Sequence, residues 1–176
     1  MAWSTPMTAV AGNVFTAAQF NQYVRDLFNE TAPAKASAAG QWFISTAANA
    51  LAARTITSAS VATSETTTST SYTDLATSGP AVATVTGTQA LIAPYSAMAN
   101  SGTGFSVMGV AVSGSSSIAA TDAHAVGGPF GTNGGRVSGL FLVTGLTPGS
   151  NTFTAKYRVL SGTGTFVDRS LTVLPL

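Results

Sequence analysis

Thr152-Phe153-Thr154-Ala155-Lys156-Tyr157-Arg158-Val159 alternates polar and apolar residues without a break. Successive side chains of a strand point to opposite faces, so Phe153, Ala155, Tyr157 and Val159 share one face while Thr152, Thr154, Lys156 and Arg158 share the other. The pattern predicts a half-buried antiparallel strand. Around it, short runs bounded by Gly, Pro and Asn predict further strands over Ala81 to Thr86, Ala90 to Ala99, Phe105 to Val112, Leu140 to Thr144 and Thr165 to Leu174. Ser-Gly-Thr-Gly occurs at Ser101 to Gly104 and again at Ser161 to Gly164, each time between strand candidates. A further turn is expected over Leu146 to Asn151. Such strands, with no βαβ rhythm, indicate an antiparallel sandwich or jelly roll.

Upstream the pattern changes. Thr16-Ala17-Ala18-Gln19 matches a capping box, and Phe15 and Phe20 stand where a hydrophobic staple requires them. Phe20, Val24, Leu27 and Phe28 then recur at i, i+4, i+7 and i+8, which predicts a helix over about 16–30 with one apolar stripe, ending before Pro33. An isolated helix of that length is marginal in water, so the stripe must dock, either on the chain's own β-domain or on a neighbouring protein. Residues 32–53 are Ala-rich around Trp42, Phe43 and Ile44 and are expected to form an extended arm with one anchoring knob. Residues 55–71 are dominated by Ser and Thr and read as a linker or a first edge strand. The expected organisation is an N-terminal anchor over 1–54, the segment 55–71, and a β-domain over 72–176.

Composition narrows the function. Charged residues are 7% of the 176, far below the roughly 25% of ordinary soluble domains, and their place is taken by Ala, Gly, Ser and Thr. A surface so poor in charge fits a chain packed against copies of itself or against a larger shell. The net charge of +1, with scattered Lys and Arg, is unlike a nucleic-acid-binding protein. There is no cysteine, hence no disulfide or thiolate metal site. Met1 to Pro6 lacks the basic start and apolar run of a signal peptide, and no stretch approaches ~18 apolar residues, so neither export nor a membrane span is expected.

Catalytic constellations are equally sparse. His124 is the one histidine, and Asp122, two residues away, would share its face in an extended segment, but a loop or interface residue is the simpler reading. No Gly-x-Ser-x-Gly elbow accompanies them. Gly127 to Gly135 is glycine-dense without the strand-to-helix context of a phosphate loop, and reads as a mobile surface loop. The scattered carboxylates offer no acid pair for glycoside hydrolysis. Asp168 and Arg169 are expected to pair across strands with Lys156 and Arg158. Trp42, Tyr72, Tyr95 and Phe130 would make a sugar-binding platform only if clustered; core or interface packing is the commoner use. No cofactor and no catalytic turnover are expected.

Two strings of the chain resemble a known group. Ala2-Trp3-Ser4-Thr5-Pro6, Val10-Ala11-Gly12, Thr16-Ala17-Ala18-Gln19-Phe20-Asn21 and Val24-Arg25-Asp26 look like the opening of small virion proteins of actinobacterial phages, of minor tail, tail-fibre or head-decoration type. Leu142 to Thr154, followed by Tyr157-Arg158-Val159 and Phe166-Val167-Asp168-Arg169, is similar to the closing strands of the tumour-necrosis-factor-like jelly roll found in such proteins. The resemblance implies a mainly β protein: an antiparallel jelly-roll sandwich preceded by a short N-terminal helix and extended arm. It also implies a homotrimer located in the virion and assembled in the host cytoplasm. The short chain, without a coiled coil or fibre repeat, favours a capsid decoration trimer gripping the major capsid protein or another virion protein through its N-terminal region. Trp3, Phe20, Val24, Leu27, Phe28 and Trp42 are the expected attachment residues. The alternative is a minor tail or tail-tip protein that binds a host receptor or surface glycan.

Overall fold

The computed structural model describes residues 7–8, 10–29 and 31–176; Trp3 lies outside them. The chain divides into two compact units, Met1–Thr55 and Ile56–Leu176.

In the N-terminal unit the expected capping box forms. The Gln19 N–H donates to Thr16 Oγ1 at 3.2 Å, and the Thr16 N–H donates to Gln19 Oε1 at 3.0 Å. The Phe15 and Phe20 rings meet edge to face, centroids 6.1 Å apart, as the staple requires. The helix starts as α-helix over Ala17–Phe20, widens to a π-helical segment over Asn21–Arg25, where the Asp26 N–H reaches back to Asn21 O, and closes over Asp26–Phe28. A second short helix follows over Ala32–Lys35. The Ala-rich arm carries secondary structure of its own: β1 (Trp42–Ala47) and β2 (Ala50–Arg54) pair antiparallel, with Trp42 opposite Arg54 and Ile44 opposite Ala52. Asn49, at φ +56, supplies the left-handed residue of the tight turn between them, a conformation Asn tolerates better than most residues.

The larger unit holds β3 (Thr57–Val61), β4 (Glu65–Thr67), β5 (Ala81–Thr86), β6 (Gln89–Asn100), β7 (Ser106–Gly114), β8 (Val126–Gly128), β9 (Gly135–Ser138), β10 (Phe141–Thr144), β11 (Gly149–Val159) and β12 (Gly164–Pro175). One sheet has the order β10-β6-β12-β3, with β9 also on β6 and β4 also on β12; the other has the order β5-β11-β7-β8. Counting β3 with β4 and β9 with β10 as single positions, the two sheets read 1-8-3-6 and 2-7-4-5. That is the strand order of an eight-position jelly roll. Its paired strands are antiparallel throughout.

The sheets bury one face each against the other. Phe153, Ala155, Tyr157 and Val159 are fully buried, and Ile92, Phe166, Leu171 and Val173 face them from the opposite sheet. The core falls into two clusters, one around Phe153 and Ile92 and one around Tyr157 and Phe166, with Phe141 touching both. Buried asparagines clip the loops at each end. Asn151 receives the Ser116 N–H at 2.8 Å and donates to Thr86 Oγ1 at 2.8 Å and Thr147 O at 3.0 Å. Asn100 donates to Ser161 O at 3.1 Å and receives the Gly102 N–H at 3.0 Å, joining the two Ser-Gly-Thr-Gly turns; the Ser101 N–H also reaches Thr163 O at 2.9 Å.

Residues 55–71, read as a linker or a first edge strand, supply edge strands β3 and β4, so the jelly roll takes in chain upstream of residue 72. Two expectations change. Gly127 to Gly135 is not a free loop. Val126–Gly128 pairs with β7 and Gly135–Ser138 with β6, and Phe130 between them packs on the core beside Gly128 and Gly135, where a Cβ would collide with its ring. Asp168 and Arg169 do not pair with Lys156 and Arg158, because β11 and β12 belong to different sheets. Lys156 pairs instead with Asp74 at 2.7 Å, Arg158 with Asp122 at 2.5 Å, and Asp168 with Arg136 at 3.5 Å. Arg169 turns inward, to Glu65 at 3.1 Å.

Candidate functional site: surfaces rather than a pocket

Strand geometry dictates which side chains the β10-β6-β12-β3 sheet turns outward. On β6, Ile92, Ser96 and Met98 are buried, so Leu91, Ala93, Tyr95, Ala97 and Ala99 line the outer face. The register sets Leu142, Leu91 and Leu174 side by side across β10, β6 and β12. Leu140, 66% exposed, extends this strip at the sheet edge, and Leu142 is 45% exposed. Further along, Tyr95 stands between Ser138 and Ser170, and Ala97 between Arg136 and Val167. The outward positions of β6 carry no charge at all.

Charge on this face is confined to one place. Arg136 on β9 and Asp168, at a bulge in β12, flank Ala97 with Nη2 and Oδ2 3.5 Å apart, and Arg136 also donates to the Tyr95 hydroxyl at 2.8 Å. Beside Arg136 runs a groove of about 300 Å³, floored by Ala97 and Ala99 and walled by Arg136 and Asn133 on one side and Thr165 and Val167 on the other.

The second sheet is dressed differently. Lys156 and Arg158 project from β11 to Asp74 and Asp122, and the Tyr72 hydroxyl donates to Asp122 Oδ1 at 2.7 Å. The Arg158 guanidinium stacks over the Tyr72 ring, 5.4 Å from its centroid. Gly109 lies beneath that ring with no room for a Cβ, which explains a glycine in mid-strand. Hydrogen bonds from Arg158 and Tyr72 hold the Asp122 carboxyl below its ordinary range, and burial together with Asp122 pushes the Tyr72 hydroxyl up. Asp122 and His124 lie in a 3-10 turn over Asp122–His124 rather than on an extended face, and the His124 ring sits edge-on to Phe141 at 6.3 Å. Among the described residues no group of three or more His, Cys, Asp or Glu is placed to hold a metal ion, and no helix is long and apolar enough to cross a membrane.

The expected attachment residues fall in the N-terminal unit. Phe20 and Phe28 are 49% and 68% exposed, Val24 and Leu27 half-buried. The π-helical segment adds residues to its turn and so brings Tyr23, which the 3.6-residue stripe passes over, to the half-buried side with Val24. Met7, Val10, Asn13, Val14, Phe15 and Gln19 line a groove of about 330 Å³ ahead of the helix. Trp42 is half-buried on β1, and its indole N–H is buried with no hydrogen-bond partner. The aromatic residues considered for a sugar platform do not converge within the sandwich. Tyr72 lies on the second sheet, Tyr95 faces outward from the first, and Phe130 packs on the core.

Neither a protein-family model nor a curated protein matches this chain.

Proposed function

We propose that this chain is a structural bacteriophage virion protein, a capsid decoration protein whose copies associate as a homotrimer through the outward face of the β10-β6-β12-β3 sheet. The observation that carries the reading is that face itself. A solvent-exposed sheet face ordinarily alternates polar residues outward, and a row of Leu142, Leu91 and Leu174 with Tyr95 beyond it is instead the composition of an interface centre. The ion-paired side chains Lys156 and Arg158 are carried on the other sheet, so the two outer faces of the sandwich differ in kind. Placement in a virion rests on the resemblance of the N-terminal string, supported by the exposure of Phe20 and Phe28, apolar surface that calls for a partner.

A minor tail or tail-tip protein in contact with a host glycan is the second reading, and one observation favours it. The chain enters the sandwich at the Thr57 end of β3, and the opposite end bears the two Ser-Gly-Thr-Gly turns, with Phe105 and Leu160 exposed and no charged residue in either turn. Hydroxyl groups beside an exposed aromatic ring suit a neutral sugar. Quantifying the protein against the major capsid protein in purified particles separates the readings. A comparable copy number is expected for a decoration protein, and a small fraction of it would favour the tail tip.

A further inference from the structure

We infer that Arg136 and Asp168 form the polar register of the self-association face, each pairing with its counterpart on a neighbouring copy. The inference rests on the proposed use of that face. Its ground is the geometry of the two side chains. They are the opposite charges that border an otherwise uncharged strip, and they stand on opposite sides of Ala97, one on β9 and one at the β12 bulge. Their contact within one chain is loose, 3.5 Å through a single nitrogen, and the side chains keep 70% and 47% of their surface exposed. By comparison, Arg158 grips Asp122 through two nitrogens, at 3.1 and 2.5 Å, and is only 18% exposed. Donor capacity is therefore left over on Arg136 and acceptor capacity on Asp168.

A closed ring of three copies requires a heterologous interface, in which one side of a surface meets the other side of the same surface on the next copy. Opposite charges displaced across one face satisfy that requirement. The β9 side of one copy, carrying Arg136, meets the β12 side of the next, carrying Asp168. The groove beside Arg136, floored by alanines, leaves space for the approaching chain. Asp168 is suited to its place by backbone as well as charge, since its φ of +51 is tolerated by Asp and Asn better than by most residues.

The full-length chain provides the test, with mass read by sedimentation velocity and folding by thermal unfolding. Arg136→Glu and Asp168→Lys should each raise the dissociation constant by about tenfold or more, while the double variant that exchanges both charges within one chain should associate as firmly as wild type, since every interface of the ring then regains an opposite pair. Because Lys at positive φ risks local unfolding, Asp168→Asn serves as the conformationally safe variant. Wild-type association should weaken as salt rises from about 0.05 to about 0.5 M, and that of Asp168→Asn should barely respond. Single variants that assemble like wild type would overturn the inference. So would a double variant that folds like wild type and stays dissociated. A wild type that is monomeric throughout overturns the self-association reading itself, and is told apart by being seen before any variant is made.

Discussion

Glu65 on β4 and Arg169 on β12 meet at 3.1 Å, the arginine with none of its side chain exposed and the glutamate with 13%. Arg169 also donates to Thr63 O and Thr77 O and lies over the Tyr157 ring, while Glu65 accepts from the Thr77 N–H and hydroxyl. One buried cation thus ties the segment between the two sheets to the last strand and to the core. Removing its partner leaves that charge uncompensated away from water.

Acid should therefore loosen the sandwich. Hydrogen bonds from Thr77, with Arg169 beside it, hold the Glu65 carboxyl below its ordinary range; burial opposes them, and the net shift is downward. A carboxyl whose folded pKa is depressed contributes stability above its unfolded pKa and loses it as pH falls through the folded one. Melting temperature should hold steady at neutral pH and fall below the usual carboxylate range. Glu65→Gln should melt lower than wild type at pH 7 and show a shallower decline in acid; a variant as stable as wild type at pH 7 would contradict this.

Asn151 closes the opposite end of the fold. Asn151→Ala leaves the Ser116 N–H and the Thr86 hydroxyl without their buried partner, at a cost of about 1–3 kcal/mol. Denaturant unfolding should show the midpoint falling with an unchanged slope. Truncation of the central core side chain, Phe153→Ala, should cost more, about 3–5 kcal/mol, because a cavity is added to the lost burial.

Attachment and folding should separate. Deleting residues 1–54 removes the unit that carries Phe20 and Phe28 and leaves β3 to β12 intact, so the remainder should stay folded, keep its oligomeric state and no longer join particles. Phe20→Asp in the full chain should lower particle occupancy without shifting the melting temperature of the sandwich. If the truncated chain still decorates particles at full occupancy, attachment lies in the β-domain instead.

Much of the sandwich was legible because its strands are long and alternate. Phe153 to Val159 announces a half-buried strand unaided, and the boundaries expected for Ala81 to Thr86 coincide with those of β5. What escaped was strand structure without an apolar signature. Val126–Gly128 and Gly135–Ser138 flank a glycine-dense loop, and Thr57–Val61 and Glu65–Thr67, poor in apolar residues, left linker and edge strand as equal readings; backbone pairing to longer neighbours fixes them, not their own side chains. The ion pairs escaped for a topological reason, since strands adjacent in sequence, β11 and β12, fall in different sheets. The outward strip of Leu91, Leu142 and Leu174 was hidden too. Each leucine lies in a stretch apolar at nearly every position, and only the register shows which of them face out.

Self-association through that strip is tested most directly by the solution mass of the full-length chain at micromolar concentration, measured for wild type and for Leu91→Asp. Leu91 lies outside the core, so the substitution should leave the melting transition of the sandwich cooperative. Wild type is expected at three times the chain mass and Leu91→Asp at one. A monomeric wild type, or a Leu91→Asp variant that remains trimeric, would contradict the use of this face.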